Sequence, residues 1–179
     1  MDRRRFLSTL GGASLAGTGL DVLAQRVPDV IFVPTGFDVV VQMLRLAETT
    51  SKDIVYDLGC GDGRFVVTAA RQFGARGVGI DIDPERIKEA RELSKRTGAD
   101  DKVRFIEGDL FETDISEATV VTLYLLTRLN LKLRPKLMKE LRPGTRIVSH
   151  AFDMGDWKPE KTEQSGSSPI YLWRIPPRS

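Results

Sequence analysis

The feature that most narrows the fold is a seven-residue stretch, Asp57-Leu58-Gly59-Cys60-Gly61-Asp62-Gly63, set between a strand pattern and a helix pattern. Before it, Asp53-Ile54-Val55-Tyr56-Asp57-Leu58 is a short β-branched run that ends in glycine, the mark of a buried strand. After it, Gly63 to Phe73 places Phe65, Val66, Ala69, Ala70 and Phe73 at helical spacing, and Gly74 stops the pattern. The alternation then repeats. Gly77 to Ile82 reads as a second strand, and Asp83-Pro84-Glu85 opens a helix with an Asx cap, a proline at the first position and an acid in the first turn. That helix runs to about Thr97 and Gly98 closes it. Lys102 to Glu107, Thr119 to Leu125 and Thr145 to Ala151 supply three more strands, with a helix from Asn130 to Leu141 before the last of them. Lys158 to Gln164 and Ile170 to Ile175 flank Ser165-Gly166-Ser167-Ser168-Pro169 as a hairpin. Strand–helix repetition of this kind gives a mostly parallel α/β sheet covered on both faces, here with an antiparallel edge. Upstream, Phe37 to Glu48 makes an amphipathic helix after Val33-Pro34-Thr35.

Composition removes several chemistries. One cysteine, Cys60, allows no internal disulfide and no Cys-x-x-Cys site, and one histidine, His150, allows no histidine metal cluster. No metal is expected. Lys+Arg 27 against Asp+Glu 25 leaves a formal charge of +2, so no strong basic field calls for nucleic acid as partner. The first 24 residues differ from the rest. Arg3-Arg4-Arg5, then Phe6-Leu7, then a mildly apolar, glycine-rich stretch to Leu20, then Val22-Leu23-Ala24 follow the order of an export signal, and the arginine pair suits the twin-arginine type. This reading makes the chain bacterial and places it in the periplasm or envelope, near a membrane, with 25–52 as a lid and helix and 53–179 as the main domain. If the signal is not used, the chain is cytoplasmic. A frayed amphipathic helix is the plainer alternative for the same residues.

The glycine loop lies at the first strand–helix turn, where an open α/β sheet binds its ligand. Its spacing is Gly59-x-Gly61-x-Gly63, with Arg64 where a dinucleotide fingerprint has its last glycine. Asp57 immediately precedes it; a carboxylate there repels a pyrophosphate and welcomes an ammonium. The loop, including Cys60, therefore favours an adenosine ligand without phosphates and with a positive amino-acid end, and S-adenosylmethionine is that molecule. Asp81 ends the second strand, 24 positions after Asp57, where it can accept both ribose hydroxyls. Asp109 follows the third strand and suits the adenine amino group, with Ile82 and Leu110 as apolar contacts to the ring. Each acid taken singly also reads as a cap or a solvated turn.

These residues, Asp57 to Gly63, Gly79 to Asp81 and Gly108-Asp109, resemble the class I S-adenosylmethionine-dependent methyltransferases over most of the chain from Asp53 onward. The resemblance implies a Rossmann-like sheet of seven strands whose last two form the hairpin. Val33-Pro34, the loop through Arg64, Val120-Val121 with the helix to Leu141, and Phe152 to Trp157 are similar to small lysine methyltransferases of the ATP-synthase c-subunit and adenine-nucleotide-translocase type. Thr122-Leu123-Tyr124-Leu125 departs from their motifs. A methyl acceptor, in this reading a protein lysine, is then the partner.

Methyl transfer from a sulfonium is a direct displacement, so a protein mainly aligns the reactants and excludes water. A chain with one histidine and one cysteine is equipped for that. The acceptor is expected beyond the fourth strand, with Tyr124 as the residue that lines or orients it; a packed aromatic at a strand end is the equal alternative. Val33-Pro34-Thr35 and Phe37 are expected as a lid, and Phe152, Asp153 and Trp157 as a rim or as cover for the sheet. A Cys60–His150 hydrolytic dyad lacks an orienting third group. Cys60 is read as filling a small slot in the loop, and His150 as a partly buried strand end. A non-catalytic module binding the cofactor or its demethylated product is the alternative from another class, and a nicotinamide oxidoreductase is disfavoured by the glycine spacing and Asp57.

Overall fold

A computed structural model describes residues 34–178; the expected export signal (1–24) and Val33 lie outside the described residues. Eleven elements follow in order: α1 (Phe37–Leu46), β1 (Ile54–Leu58), α2 (Arg64–Phe73), β2 (Arg76–Asp81), α3 (Pro84–Thr97), β3 (Val103–Glu107), β4 (Val120–Leu123), α4 (Thr127–Glu140), β5 (Arg146–His150), β6 (Lys161–Ser165) and β7 (Ser168–Arg174). The seven strands form one sheet in the order β3-β2-β1-β4-β5-β7-β6. The first five are parallel, while β7 runs antiparallel to both β5 and β6. The order reverses between β1 and β4, so the carboxyl ends of those two strands mark the switch point where such sheets take ligands.

The sheet is covered on both faces. One apolar layer joins α1, α2 and α3 to Val55, Val120 and Val148, and the other joins α4 to Tyr56, Val121, Ile147 and Trp173. Alternation along each central strand sends successive side chains to opposite layers, so β1 and β4 are buried on both faces. The cap anticipated for α3 is present: Asp83 accepts from the Glu85 amide at 2.9 Å, and Pro84 holds the first position. Gly74 and Gly98 take left-handed conformations at the ends of α2 and α3.

Several boundaries differ from the sequence expectation, and three of the differences have a plain physical reason. The helix expected at Asn130 begins at Thr127, and it carries Pro135 inside it. Proline ordinarily signals a break, but the apolar stripe Leu129, Leu133, Leu137 and Leu141 carries the helix through. β4 is shorter than the apolar run Thr119 to Leu125, because Tyr124 and Leu125 turn out of the sheet at its carboxyl end. The hairpin turn is tight, with Ser165 paired to Ser168, so Ser168 and Pro169 belong to β7.

Candidate active site

The loop after β1 is built by its own amides. Gly59 N and Cys60 N both donate to the Ile80 carbonyl (2.8 and 2.9 Å), Gly61 N donates to Asp81 Oδ2 (2.8 Å), and Gly63 N donates to the Cys60 carbonyl (2.9 Å). A phosphate cradle needs such amides free and pointing outward. Here they are spent internally, which suits a ligand without phosphates. Gly59, Gly61 and Gly63 all have positive φ, and Gly59 is the one exposed residue among Leu58 to Gly61. A Cβ on Gly59 would project to 3.2 Å from Leu125 Cδ2, and one on Gly63 would fall 2.6 Å from Phe105 Cε1 and 2.8 Å from Ala90 Cβ. A side chain on Gly63 would therefore clash with its neighbours, and one at any of the three positions would be strained.

Three carboxylates crowd this loop. Asp57, at the end of β1, is 3% exposed and accepts from Thr122 Oγ1 at 2.6 Å. Burial pushes its carboxyl up to about 8, the charges of Asp81 and Asp62 add to the rise, and the Thr122 hydroxyl opposes it. A cation arriving at the loop would reverse that balance. Asp57 thus lies beneath the loop and offers no open face to a ligand. Asp81 is half-buried and fixed by two backbone amides, Gly61 N on Oδ2 and Asp83 N on Oδ1 (3.0 Å). Each of its oxygens keeps a further lone pair, the arrangement that a pair of hydroxyls on adjacent carbons requires. The third carboxylate, Asp62, forks onto the Arg64 guanidinium, and the sequence reading did not single it out.

Asp109 stands farther along the rim, where its Oδ1 accepts from Phe111 N at 2.8 Å and shapes the turn after β3. Gly108 N donates to the Asp81 carbonyl at 2.9 Å, which keeps that turn beside the end of β2. Ile82 and Leu110 are both half-buried on this side. Cys60 is buried, and its sulfur occupies the space a Cβ on Gly79 would need, 2.8 Å away. Desolvation pushes its thiol well up, and the neighbouring Asp57 and Asp81 add to the effect. This is the slot-filling role expected of it.

The far side of the switch point is aromatic. Tyr124 follows β4 and packs its ring 4.3 Å from that of His150 and 5.9 Å from that of Phe152. Burial alone lowers the His150 pKa below its usual value. Asn130 fixes the chain after β5: its Nδ2 donates to the Phe152 and Asp153 carbonyls (both 3.2 Å), and Ser149 Oγ donates to the Phe152 carbonyl (2.7 Å). Asn130 was missed in the sequence, though a buried asparagine inside the stripe of Leu129, Leu133 and Leu137 was the available signal. Trp157 takes the covering role: it packs against Trp173, whose Nε1 donates to its carbonyl at 2.7 Å. Of the expected lid, Thr35 is buried and Phe37 is exposed against the Arg64 guanidinium, 5.2 Å from its ring centre.

Comparison with known proteins decides the family. Residues 57–161 match the model of the ANTKMT methyltransferase domain. The chain belongs to that family. It is 51% identical over 154 residues to a protein-lysine N-methyltransferase of Saccharolobus islandicus, covering 83% of this chain and 96% of that one. A lysine N-methyltransferase of the ATP-synthase c-subunit from Xenopus laevis is 27% identical over 80% of this chain, which spans 63% of that protein. A crystal structure from Salinibacter ruber, described as an RNA methyltransferase in complex with S-adenosyl-L-homocysteine, is 56% identical with a TM-score of 0.81, covering 82% of this chain and 96% of the other. The chain is an S-adenosylmethionine-dependent methyltransferase of class I fold, as its sequence motifs implied.

Proposed function

We propose that this methyltransferase transfers its methyl group to the side-chain amine of a lysine in a protein acceptor. One observation carries the reading: at the switch point beyond β4 the rings of Tyr124, His150 and Phe152 pack together, and burial there lowers the pKa of His150. A site that disfavours an imidazolium also disfavours an ammonium, and a lysine amine must be neutral to attack, down from a pKa of about 10.4 in water. The lysine specificity of the Saccharolobus relative supports the same assignment.

In this reading Asp81 takes the two ribose hydroxyls of the cofactor, Gly59 and Gly61 let the backbone close on it, and Asp57 balances its positive end. Ile82 and Leu110 flank the adenine, with Asp109 facing its amino group. The cofactor supplies a methyl group already activated on a sulfonium. The acceptor lysine gives its proton to solvent before its side chain is enclosed; the protein then holds the neutral amine against Tyr124 and keeps water away while the amine takes the methyl group and S-adenosylhomocysteine leaves. Incubating the purified chain with methyl-labelled cofactor and, in parallel, the protein and RNA fractions of a cell extract tests the acceptor. Label in lysine of a protein band is expected; label in the RNA alone would replace this reading with the second one, which the Salinibacter protein favours.

For residues 1–24 we propose export through the twin-arginine route. N-terminal sequencing of protein from fractionated cells tests it: a new terminus near Gln25 in the envelope fraction is expected, and an intact Met1 in the cytoplasm would overturn it.

A further inference from the structure

His150, the one imidazole of the chain, belongs to the aromatic wall described above but carries no proton or methyl group in that reaction. It closes β5 with 9% of its surface exposed. One side of its ring packs on Tyr124, and its Nδ1 lies 3.5 Å from Thr35 Oγ1, at the outer limit of a hydrogen bond. Thr35 is itself 4% exposed, and its carbonyl accepts from Arg64 Nη1 at 2.6 Å. Arg64 is forked onto Asp62 of the glycine loop. Immediately after His150 the chain makes a tight three-residue turn: Phe152 N donates to the His150 carbonyl at 2.7 Å across Ala151, whose φ is +63°. That conformation is strained for a residue with a Cβ, and such strain persists only where the surroundings enforce it. Asn130 and Ser149 supply the enforcement by holding the Phe152 carbonyl. The turn brings both the His150 and Phe152 rings onto Tyr124.

A continuous chain of contacts therefore runs from Asp62 through Arg64, Thr35 and His150 to Tyr124. It starts in the cofactor loop and ends on the opposite side of the switch point. Both ends of Thr35 are used, the carbonyl toward the loop and the hydroxyl toward the aromatic wall.

We propose that Thr35 and His150 are positioning residues that couple the cofactor loop to the Tyr124 ring, so that filling the loop sets the acceptor wall. A shift of a few tenths of an ångström in residues 34–37 makes or breaks the Thr35–His150 hydrogen bond, and the stacked ring moves with the imidazole. The proposal deepens the acceptor-side reading of Tyr124 and rests on it for its functional meaning.

The test uses the full chain labelled with isotopic histidine, whose single imidazole needs no assignment. Saturation with S-adenosylhomocysteine, with occupancy verified by calorimetry, is expected to shift the imidazole nitrogen and Cε1 signals. Thr35→Val, which keeps the shape and loses the hydroxyl, should lose at least half of that shift while Kd changes less than threefold. Thr35→Ser should restore it. Imidazole signals that stay put in the saturated wild type, or a full shift in Thr35→Val, would overturn the coupling. If Tyr124→Ala leaves methyl transfer unchanged while the shifts follow the expected pattern, the coupling stands and the acceptor-wall role of Tyr124 falls.

Discussion

The two sides of the switch point are made from different materials. On the β1–β2–β3 side the site is backbone and carboxylate: amides locked onto Ile80 and Asp81, glycines in left-handed conformations, and acids beneath and beside them. On the β4–β5 side it is rings, with Tyr124, His150 and Phe152 packed together and a buried asparagine behind them. On the proposed reading, the difference separates cofactor recognition from acceptor recognition. Fixed main-chain geometry suits a ligand that never varies, whereas a wall of side chains can be altered without disturbing the fold. Evolution of a new acceptor would act on the second side and leave the first alone.

Four measurements break or sharpen this contrast. Gly63→Ala should have the largest effect, since it adds a Cβ 2.6 Å from Phe105 at a φ of +79°; strain and overpacking together cost about 3 kcal/mol, read as a lower Tm and midpoint in urea. A wild-type Tm would mean that the loop is less constrained than its geometry states. Asp81→Ala comes next. It removes the proposed ribose acceptor and frees the Gly61 and Asp83 amides, and calorimetry should show cofactor affinity falling roughly 100-fold, about 2.7 kcal/mol.

Smaller, and dependent on pH, is the effect of Asp57. Its folded pKa of about 8 lies above the unfolded value of 3.8, so the folded state holds the extra proton between them. Stability from this group is fully present below about pH 4 and is lost as pH rises toward 8, with a slope of at most about 1.4 kcal/mol per unit. Asp57→Asn should flatten the stability profile of the free protein across that window. Cofactor binding near pH 7 should release a proton, visible as a buffer-dependent heat; a heat independent of buffer would remove Asp57 from the cationic end of the ligand. The smallest effect on the fold belongs to the other side. Tyr124→Ala should slow methyl transfer about tenfold while cofactor Kd stays within threefold, and Tyr124→Phe should recover most of the rate. A loss of cofactor affinity of the same size would merge the two sides into one.

How much of this was legible in the sequence follows the same division. The loop, its strand and the cap at Asp83 announce themselves locally, because glycine positions, a β-branched run and an Asp-Pro pair each dictate backbone geometry over a few residues. Asp57 and Asp81 follow from their places at strand ends. The ring cluster does not, since Tyr124, His150 and Phe152 meet only through sheet pairing and a turn at Ala151 that no glycine signals. Thr122 beneath Asp57 and Arg64 on Thr35 are likewise partners set by tertiary contact, 65 and 29 residues apart in the chain. The early start of α4 was hidden because its N-cap, Leu126, makes no side-chain cap hydrogen bond and gives no local signal.

The sealed thiol of Cys60 has a chemical consequence. In the proposed reading the loop that holds it also receives an electrophilic methyl donor, and a thiolate in that place would compete with the intended acceptor and alkylate itself. By keeping the sulfur protonated against the Gly79 backbone, the fold disarms the most reactive nucleophile it owns, and the enzyme is spared from being its own suicide substrate.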